Sequence, residues 1–312
     1  MKNEFKYTFD NKRYQTYNFY LKSKFHSKVF KVGLNAGFTC PNRDGSKGKD
    51  GCVFCSDFGA GEYAGDIEKE LLHQFEEVKT LRHVKWPEAK YVGYFQAFSN
   101  TYAEVEHLKK LYEPILKQDN VVGLNISTRP DCFNEEIYDY LEDLSQRTDL
   151  WVELGLQSSN ENTLRNINRG HTFKEYKEAI KELRSRNIQV CVHIINGLFG
   201  ESKEDMIQTV LDIRDDIQAI KIHMLHVMKD TDLANIYQKN NPHILTKEQY
   251  IDIVVDQLEL LPEEVVIMRL TGDAPKDQLI TPEWTLKKVI VLNDIDKEMV
   301  KRDTYQGRKV NA

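Results

Sequence analysis

Three cysteines, Cys40, Cys52 and Cys55, are the residues whose types and spacing most directly imply chemistry. They stand in Gly37-Phe38-Thr39-Cys40-Pro41-Asn42 and Gly51-Cys52-Val53-Phe54-Cys55. A closed structural zinc site takes four protein ligands, and a Cys-only iron–sulfur cluster also takes four. Three thiolates with no fourth partner nearby leave one iron of a cubane open to a substrate or cofactor. Cys52 and Cys55 alone are also compatible with half a zinc site or a redox pair. The redox reading wants a thioredoxin-like setting, and His26 and His73, the nearest histidines, lack zinc-ligand spacing. Adding Cys40, at C-x11-C-x2-C spacing, favours a cluster. Phe54, just before Cys55, would shield it.

Such a set needs a rigid frame. Short β-branched and aromatic runs at 28–34, 91–96, 121–127, 151–157, 189–195 and 219–226 alternate with amphipathic stretches at 67–81, 104–116, 135–146, 173–186 and 203–215. Thr172 with Glu175 and Thr246 with Gln249 read as capping boxes, and Ser202 with Asp205 as a weaker one. Repeated strand–helix units predict a parallel sheet with right-handed crossovers. Six units predict an α/β fold, a partial (β/α)6 TIM-like barrel, open rather than closed. Chemistry in such barrels sits at the C-terminal strand ends. The cysteine loop, residues 96–101, Ser127 to Asp131, Gln157-Ser158 and Asn196-Gly197 all fall there. The expected organisation is a basic N-terminal extension (1–27), the barrel (28–245) and a C-terminal α/β extension packed on it (246–312). The extension reads as a helix (246–261), a strand (265–270) and a final helix (281–300).

With 40% hydrophobic and 29% charged residues, the 312-residue chain reads as a globular protein. It shows no apolar leader and no apolar run long enough to cross a bilayer, so no membrane partner is expected. Five cysteines, an odd count, argue against a disulfide framework and for a cytoplasmic location. The net charge of −6 argues against a dedicated nucleic-acid binder. Residues 1–31, however, hold eight Lys/Arg against Glu4 and Asp10, a balance of +6 that leaves −12 for the remainder. That basic arm either reaches a polyanion such as RNA or is a solvated extension. Tyr7, Tyr14, Tyr17 and Tyr20 interleave with its cations, which suits base stacking or a helix packed on the barrel.

Arg129 at a strand end would make a bidentate bond to a carboxylate, or a salt bridge to Asp131. Gln157, on the same rim, reads as a ligand contact or a buried amide. Glu153 shares a strand face with Gly155 and Gln157, and a carboxylate inside a barrel needs a partner: Arg169 or a bound ligand. His193 shares a face with Ile195 and reads as a core histidine or a substrate contact. His223 and His226 fall on opposite faces by alternation. Cys191 reads as a small buried hydrophobe and Cys132, next to Asp131, as a neighbour of the strand-end rim.

Over residues 34–55, Tyr94-Phe95-Gln96, Ser99-Asn100-Thr101-Tyr102, residues 127–131, 153–158, 167–172 and 193–201, and Arg269-Leu270-Thr271-Gly272-Asp273-Ala274-Pro275, the chain resembles a radical S-adenosylmethionine (SAM) enzyme. Within that superfamily it resembles the Elp-three-like group and its short YtqA/YhcC-type subgroup. The resemblance implies that Cys40, Cys52 and Cys55 hold a [4Fe–4S] cluster, whose open iron chelates SAM and cleaves it to a 5′-deoxyadenosyl radical. It implies SAM contacts at Gln96, Asn100, Ser127, Arg129, Gln157, Asn196 and Gly197, and substrate contacts at Glu153, Arg169 and His193. Gln96-Ala97-Phe98-Ser99 stands where many members carry Gly-Gly-Glu, so Gln96 or Asn100 would bind the SAM amino group. Phe199 replaces a usual proline. The acetyltransferase domain of longer relatives has no counterpart before Ala312, so carboxymethylation from acetyl-CoA is not expected.

The resemblance further implies tRNA as substrate, with wobble 5-carboxymethylaminomethyluridine converted to the 5-aminomethyl (2-thio)uridine. Its partners would be an electron donor such as flavodoxin or ferredoxin and a tRNA methyltransferase acting on the product. A small metabolite or protein side chain as substrate, and a non-catalytic iron–sulfur carrier or scaffold, are the alternatives.

Overall fold

The structure, a computed structural model, describes residues 5–59, 61 and 63–310. Lys2 and Glu4 of the basic arm lie outside the described residues. The strands are β1 (Val29–Leu34), β2 (Lys90–Phe95), β3 (Val121–Thr128), β4 (Asp149–Gln157), β5 (Gln189–Asn196), β6 (Ala219–Met224), β7 (Val227–Met228), β8 (Val266–Arg269) and β9 (Leu279–Thr281). The helices are α1 (Tyr17–Phe25), α2 (Leu71–His83), α3 (Val105–Leu116), α4 (Glu135–Arg147), α5 (Glu161–Asn166), α6 (Phe173–Ser185), α7 (Lys203–Ile213), α8 (Asp232–Asn240), α9 (Lys247–Leu260) and α10 (Lys288–Lys301). All three capping boxes form, at Thr172, Ser202 and Thr246.

One parallel sheet runs β1-β2-β3-β4-β5-β6-β8. This is the open, partial TIM-like barrel that the alternating pattern predicts, with one strand more than six units supply. The seventh strand, β8, comes from the tail and pairs with β6. Residues 246–312 therefore extend the sheet as well as cap it. Physically, β8 covers a β6 edge that would otherwise present unpaired N–H and C=O groups. The sixth run ends at Met224, because β7 turns out of the barrel to pair antiparallel with β9. The last helix begins at Lys288 rather than 281, after β9 and a 3₁₀ turn at Glu283–Leu286.

The N-terminal segment closes the open side. Thr16 bridges to Ile267, and the Ile267 N–H donates to the Gln15 carbonyl at 2.8 Å. Helix α1 plugs the N-terminal end of the barrel. Tyr17 and Leu21 pack there on Val29, Val92, Trp151, Cys191, Ala219 and Val266, the inward residues nearest the strand starts. Tyr20 meets Trp151 edge-on at 5.5 Å and donates to Asp149 at 2.8 Å. The tyrosine run at 14, 17 and 20 is thus a packing face, not a free stacking platform. Its cations are also engaged: Lys12 with Asp296, Arg13 with Asp303 at 3.1 Å, and Lys24 with Asp149 at 2.5 Å.

The segment also lies at the opposite end from the cysteine loop, so it is not placed to hold a polyanion against the mouth. Deleting residues 1–25 is therefore expected to unfold the protein rather than to weaken RNA binding selectively. It removes the buried Tyr14, Tyr17 and Leu21, worth about 5 kcal/mol or more together. Urea denaturation followed by circular dichroism checks this; a truncated chain as stable as the full one would refute the plug.

Candidate active site

Above the plug, the same strand faces change character. Two residues along from each apolar contact comes a polar one: Lys31 after Val29, Tyr94 after Val92, Glu153 after Trp151, His193 after Cys191 and Lys221 after Ala219. Strand alternation puts all five inward. They line the lower wall of a cavity of about 640 Å³ that opens at the C-terminal strand ends. Cys40, Cys52 and Cys55 line its upper wall with Gln96, Ser127, Arg129, Gln157 and Arg169. The structure thus brings most of the sequence-predicted residues to one cavity.

The cysteine loop is pinned from across the barrel. Asn42 Nδ2 donates to the Asn168 carbonyl at 2.6 Å, and Asn168 Nδ2 returns the bond to the Gly51 carbonyl at 2.6 Å. Val53 N–H donates to the Ile167 carbonyl at 3.0 Å. The run Ile167-Asn168-Arg169 therefore holds the loop in place. Arg169 NH1 lies 3.4 Å from Cys52 Sγ, and NH2 donates to the Gly155 carbonyl. A Cβ at Gly155 would stand 2.7 Å from that NH2, so only glycine leaves the guanidinium this path. Arg169 consequently serves the cysteine loop; Glu153 has other partners.

Burial and the adjacent Cys52 push the Cys55 thiol up to about 12, against the pull of Arg43. Among the described residues no three Cys, His, Asp or Glu side chains converge as ligands of a single ion would. A cubane instead seats each thiolate on its own iron.

Glu153 is the hub of the lower wall. It is fully buried and receives Lys31 at 3.0 Å, Lys221, Asn125 at 2.7 Å, Ser127 at 3.3 Å and His193 Nε2 at 2.9 Å. Lys221 also donates to Tyr94 Oη at 3.0 Å. Burial alone would raise the Glu153 carboxyl, but Lys221 and Lys31 override it and hold it well below the usual range. Burial pulls Lys31 down to about 7 against the attraction of Glu153, whereas Glu153 and Tyr94 outweigh burial and raise Lys221. Burial, reinforced by Lys221, lowers His193 to about 4, so it is neutral at pH 7.

Several expectations need correction. Arg129 lines the cavity, but its fork is taken by Asp131, with Nε and NH2 each at 2.8 Å, and NH1 donates to the Arg169 carbonyl. It is a buried ion pair that braces the loops, with no fork free for a SAM carboxylate. Asn100 is wholly buried behind the wall and donates to the Ala97 and Ser127 carbonyls. Asn196 forms a reciprocal amide pair with Gln257 of α9, at 2.8 and 2.9 Å. Gly197, at φ +91°, is covered by Leu245. None of these three lines the cavity: Asn100 is turned into the wall, and the segment leading into α9, with α9 itself, covers the end of β5. Cys132 is likewise buried outside the lining, and Cys191 belongs to the plug.

Gln157 does reach the cavity. It sits at a break in the β4–β5 register with φ +82°, an irregularity that re-aims its side chain. His226 lines the cavity beside His223, since alternation no longer applies beyond the last residue of β6.

Residues 38–213 match the radical SAM superfamily, and residues 217–301 match the radical SAM C-terminal domain. The chain belongs to the radical SAM superfamily. YtqA of Bacillus subtilis is 46% identical over 307 residues, 98% of this chain and 95% of its own length. A tRNA uridine(34) acetyltransferase of Methanocaldococcus jannaschii is 26% identical over 185 residues, 57% of this chain but 33% of that protein. Elp3 of Methanocaldococcus infernus, solved with its N-terminus deleted, superposes with a TM-score of 0.67 at 19% identity, covering 90% of this chain and 64% of that one. That likeness is one of fold.

As a radical SAM enzyme, the protein uses a [4Fe–4S] cluster and SAM. Its residues fit both: three thiols without a fourth, a guanidinium on one sulfur, and a cavity with room for a nucleotide and more. Cys40, Cys52 and Cys55 would hold the cluster. Bound together, cluster and SAM supply a one-electron reductive cleavage that yields a hydrogen-abstracting radical. The protein's part is to seat them, shape the pocket and exclude water. Among the described residues no helix is long and apolar enough to cross a membrane.

Proposed function

We propose that this radical SAM enzyme acts on the wobble uridine of tRNA, taking 5-carboxymethylaminomethyluridine to the 5-aminomethyl base. The observation that carries the reading is the cavity: the cluster cysteines line its upper wall, and polar strand positions continue below them to a cationic floor. Its volume of about 640 Å³ suits SAM with an extruded base below it. The similarity to a tRNA uridine(34) acetyltransferase over 57% of this chain supports the same substrate class.

Hydrogen abstraction from the methylene between amine and carboxylate gives a carbon radical stabilised by both groups. Loss of one more electron and of the amine proton gives the imine, and water releases the primary amine and an aldehyde acid. SAM is the two-electron oxidant by overall balance, ending as methionine and 5′-deoxyadenosine. A flavodoxin or ferredoxin would supply the priming electron, and a tRNA methyltransferase could take the amine product.

The test compares tRNA nucleosides by mass spectrometry in an intact strain, a strain deleted for this gene, and a deleted strain carrying Cys40→Ala. Loss of aminomethyl derivatives with build-up of the carboxymethylaminomethyl precursor is expected in both mutants. Unchanged wobble nucleosides would remove tRNA as the substrate and point to a metabolite or protein side chain.

A further inference from the structure

We propose that the floor of the cavity is a subsite for a carboxylate carried by the substrate, and that Lys31 is the group that receives it. Two ammonium groups, Lys31 and Lys221, share one carboxylate, Glu153. The imidazoles of His193 and His223 stand beside them, 5.4 Å apart, and bring no negative charge. Glu153 cannot turn to a ligand. It already takes hydrogen bonds from five side chains, against about four lone-pair sites on a carboxylate. The floor is therefore one positive charge in excess, walled from water below by the apolar plug.

An unpaired charge in such a place either loses its proton or gains an anion. Burial already draws Lys31 toward losing its proton, and an arriving carboxylate would stabilise the charged form.

Of the two lysines, only Lys31 is available. Lys221 is 6% exposed at its side chain and is occupied by Glu153 and Tyr94. Lys31 is 23% exposed, into the cavity it lines, and its ammonium lies 3.6 Å from the centre of the Tyr94 ring. One of its three donors goes to Glu153, which leaves donors for a ligand. Gly33, two residues further along β1, Gln96, just past the end of β2, and Gly155, two residues beyond Glu153 on β4, line the cavity on the cysteine side of this floor. The floor is thus a separate place from the SAM end. The identity of the carboxylate rests on the wobble-uridine reading, whose precursor ends its flexible arm in one.

Two measurements test this. Cluster-loaded enzyme is assayed on tRNA from the deletion strain, with iron content as the check on folding. Lys31→Met is expected to lower kcat/KM for that tRNA about 100-fold, with the loss in the tRNA term and not in the SAM term. Lys31→Arg, which keeps the cation, should stay within about 10-fold of the parent. Where the parent turns over this tRNA, equal turnover by Lys31→Met, or a loss in the SAM term, overturns the proposal. Separately, crystals of the cluster-loaded enzyme grown in bromide should show anomalous scattering at Lys31 Nζ, absent in Lys31→Met. No bromide at Lys31 in the parent overturns the subsite whatever the tRNA result. Bromide at Lys31 in a parent enzyme that leaves the tRNA unchanged overturns the wobble-uridine reading and keeps the subsite.

Discussion

Cys52→Ala is expected to bring reductive SAM cleavage down to the uncatalysed background, a loss of about 10⁶-fold or more. The size follows from the ligand count. Three thiols line the cavity, and the other two cysteines cannot replace one of them. Cys132 is buried outside the lining, and Cys191 sits under the polar layer in the plug. Cys52 is also the sulfur that Arg169 approaches at 3.4 Å, so its loss strands a guanidinium whose Nε already lacks a partner. The measurement is iron content and 5′-deoxyadenosine release after anaerobic reconstitution, with Cys132→Ala as the control expected to keep both. A Cys52→Ala protein that held its iron and cleaved SAM, or a Cys132→Ala protein that lost both, would refute the assignment.

The cysteines were legible in sequence because their evidence is local: types, spacing and an adjacent aromatic. The six barrel strands were legible for a similar reason, since each is a run with its own turn signals. What sequence reasoning missed depends on distant segments. For Arg129 the sequence offered both a carboxylate contact and a salt bridge to Asp131; the fold takes the fork with Asp131 and adds the Arg169 carbonyl from a distant loop. Asn196 looked like a loop contact until α9, from far along the chain, supplied Gln257. The seam filled by α1 and β8 joins the two ends of the chain, which no window of sequence displays.

Lys31 and Lys221 were missed although a signal existed. Each is a lone cation in an otherwise apolar strand, in Val29-Phe30-Lys31-Val32 and Ala219-Ile220-Lys221-Ile222. Each lies two residues beyond an inward apolar position, as Glu153 does beyond Trp151. A charge at inward parity in one strand calls for an opposite charge at inward parity in another. Applied to Glu153, that rule would have named the lysines in place of Arg169.

The lysine–glutamate centre carries the second large effect. Glu153→Gln should destabilise the fold by about 3–5 kcal/mol at pH 7, because it leaves two buried cations without their anion. The deficit should depend on pH in a definite direction. In the parent, the depressed Glu153 pKa gives stability that is present above the unfolded carboxyl value, about 4.3, and is lost only as pH falls toward the lower folded value. Lys31 slopes the same way but as a cost near neutrality: its folded pKa, about 7, lies below its unfolded value near 10.4, so the unfolded chain binds more protons between them and stability rises with pH there. Removing Glu153 removes the attraction that resists this fall, and Lys221 loses the partner that raised it. Both lysines of the variant then titrate below the unfolded value, and its stability climbs more steeply toward pH 10 than the parent's. Urea melts should therefore show a deficit that is largest near neutral pH and narrows by about pH 9.5. Replacing the whole centre, as Glu153→Leu with Lys31→Met and Lys221→Met, should recover much of the loss, since a packed apolar set removes the desolvation cost of all three charges. A Glu153→Gln deficit below about 1 kcal/mol, or one that grew with pH, would show that the lysines do not depend on Glu153 for their charge balance.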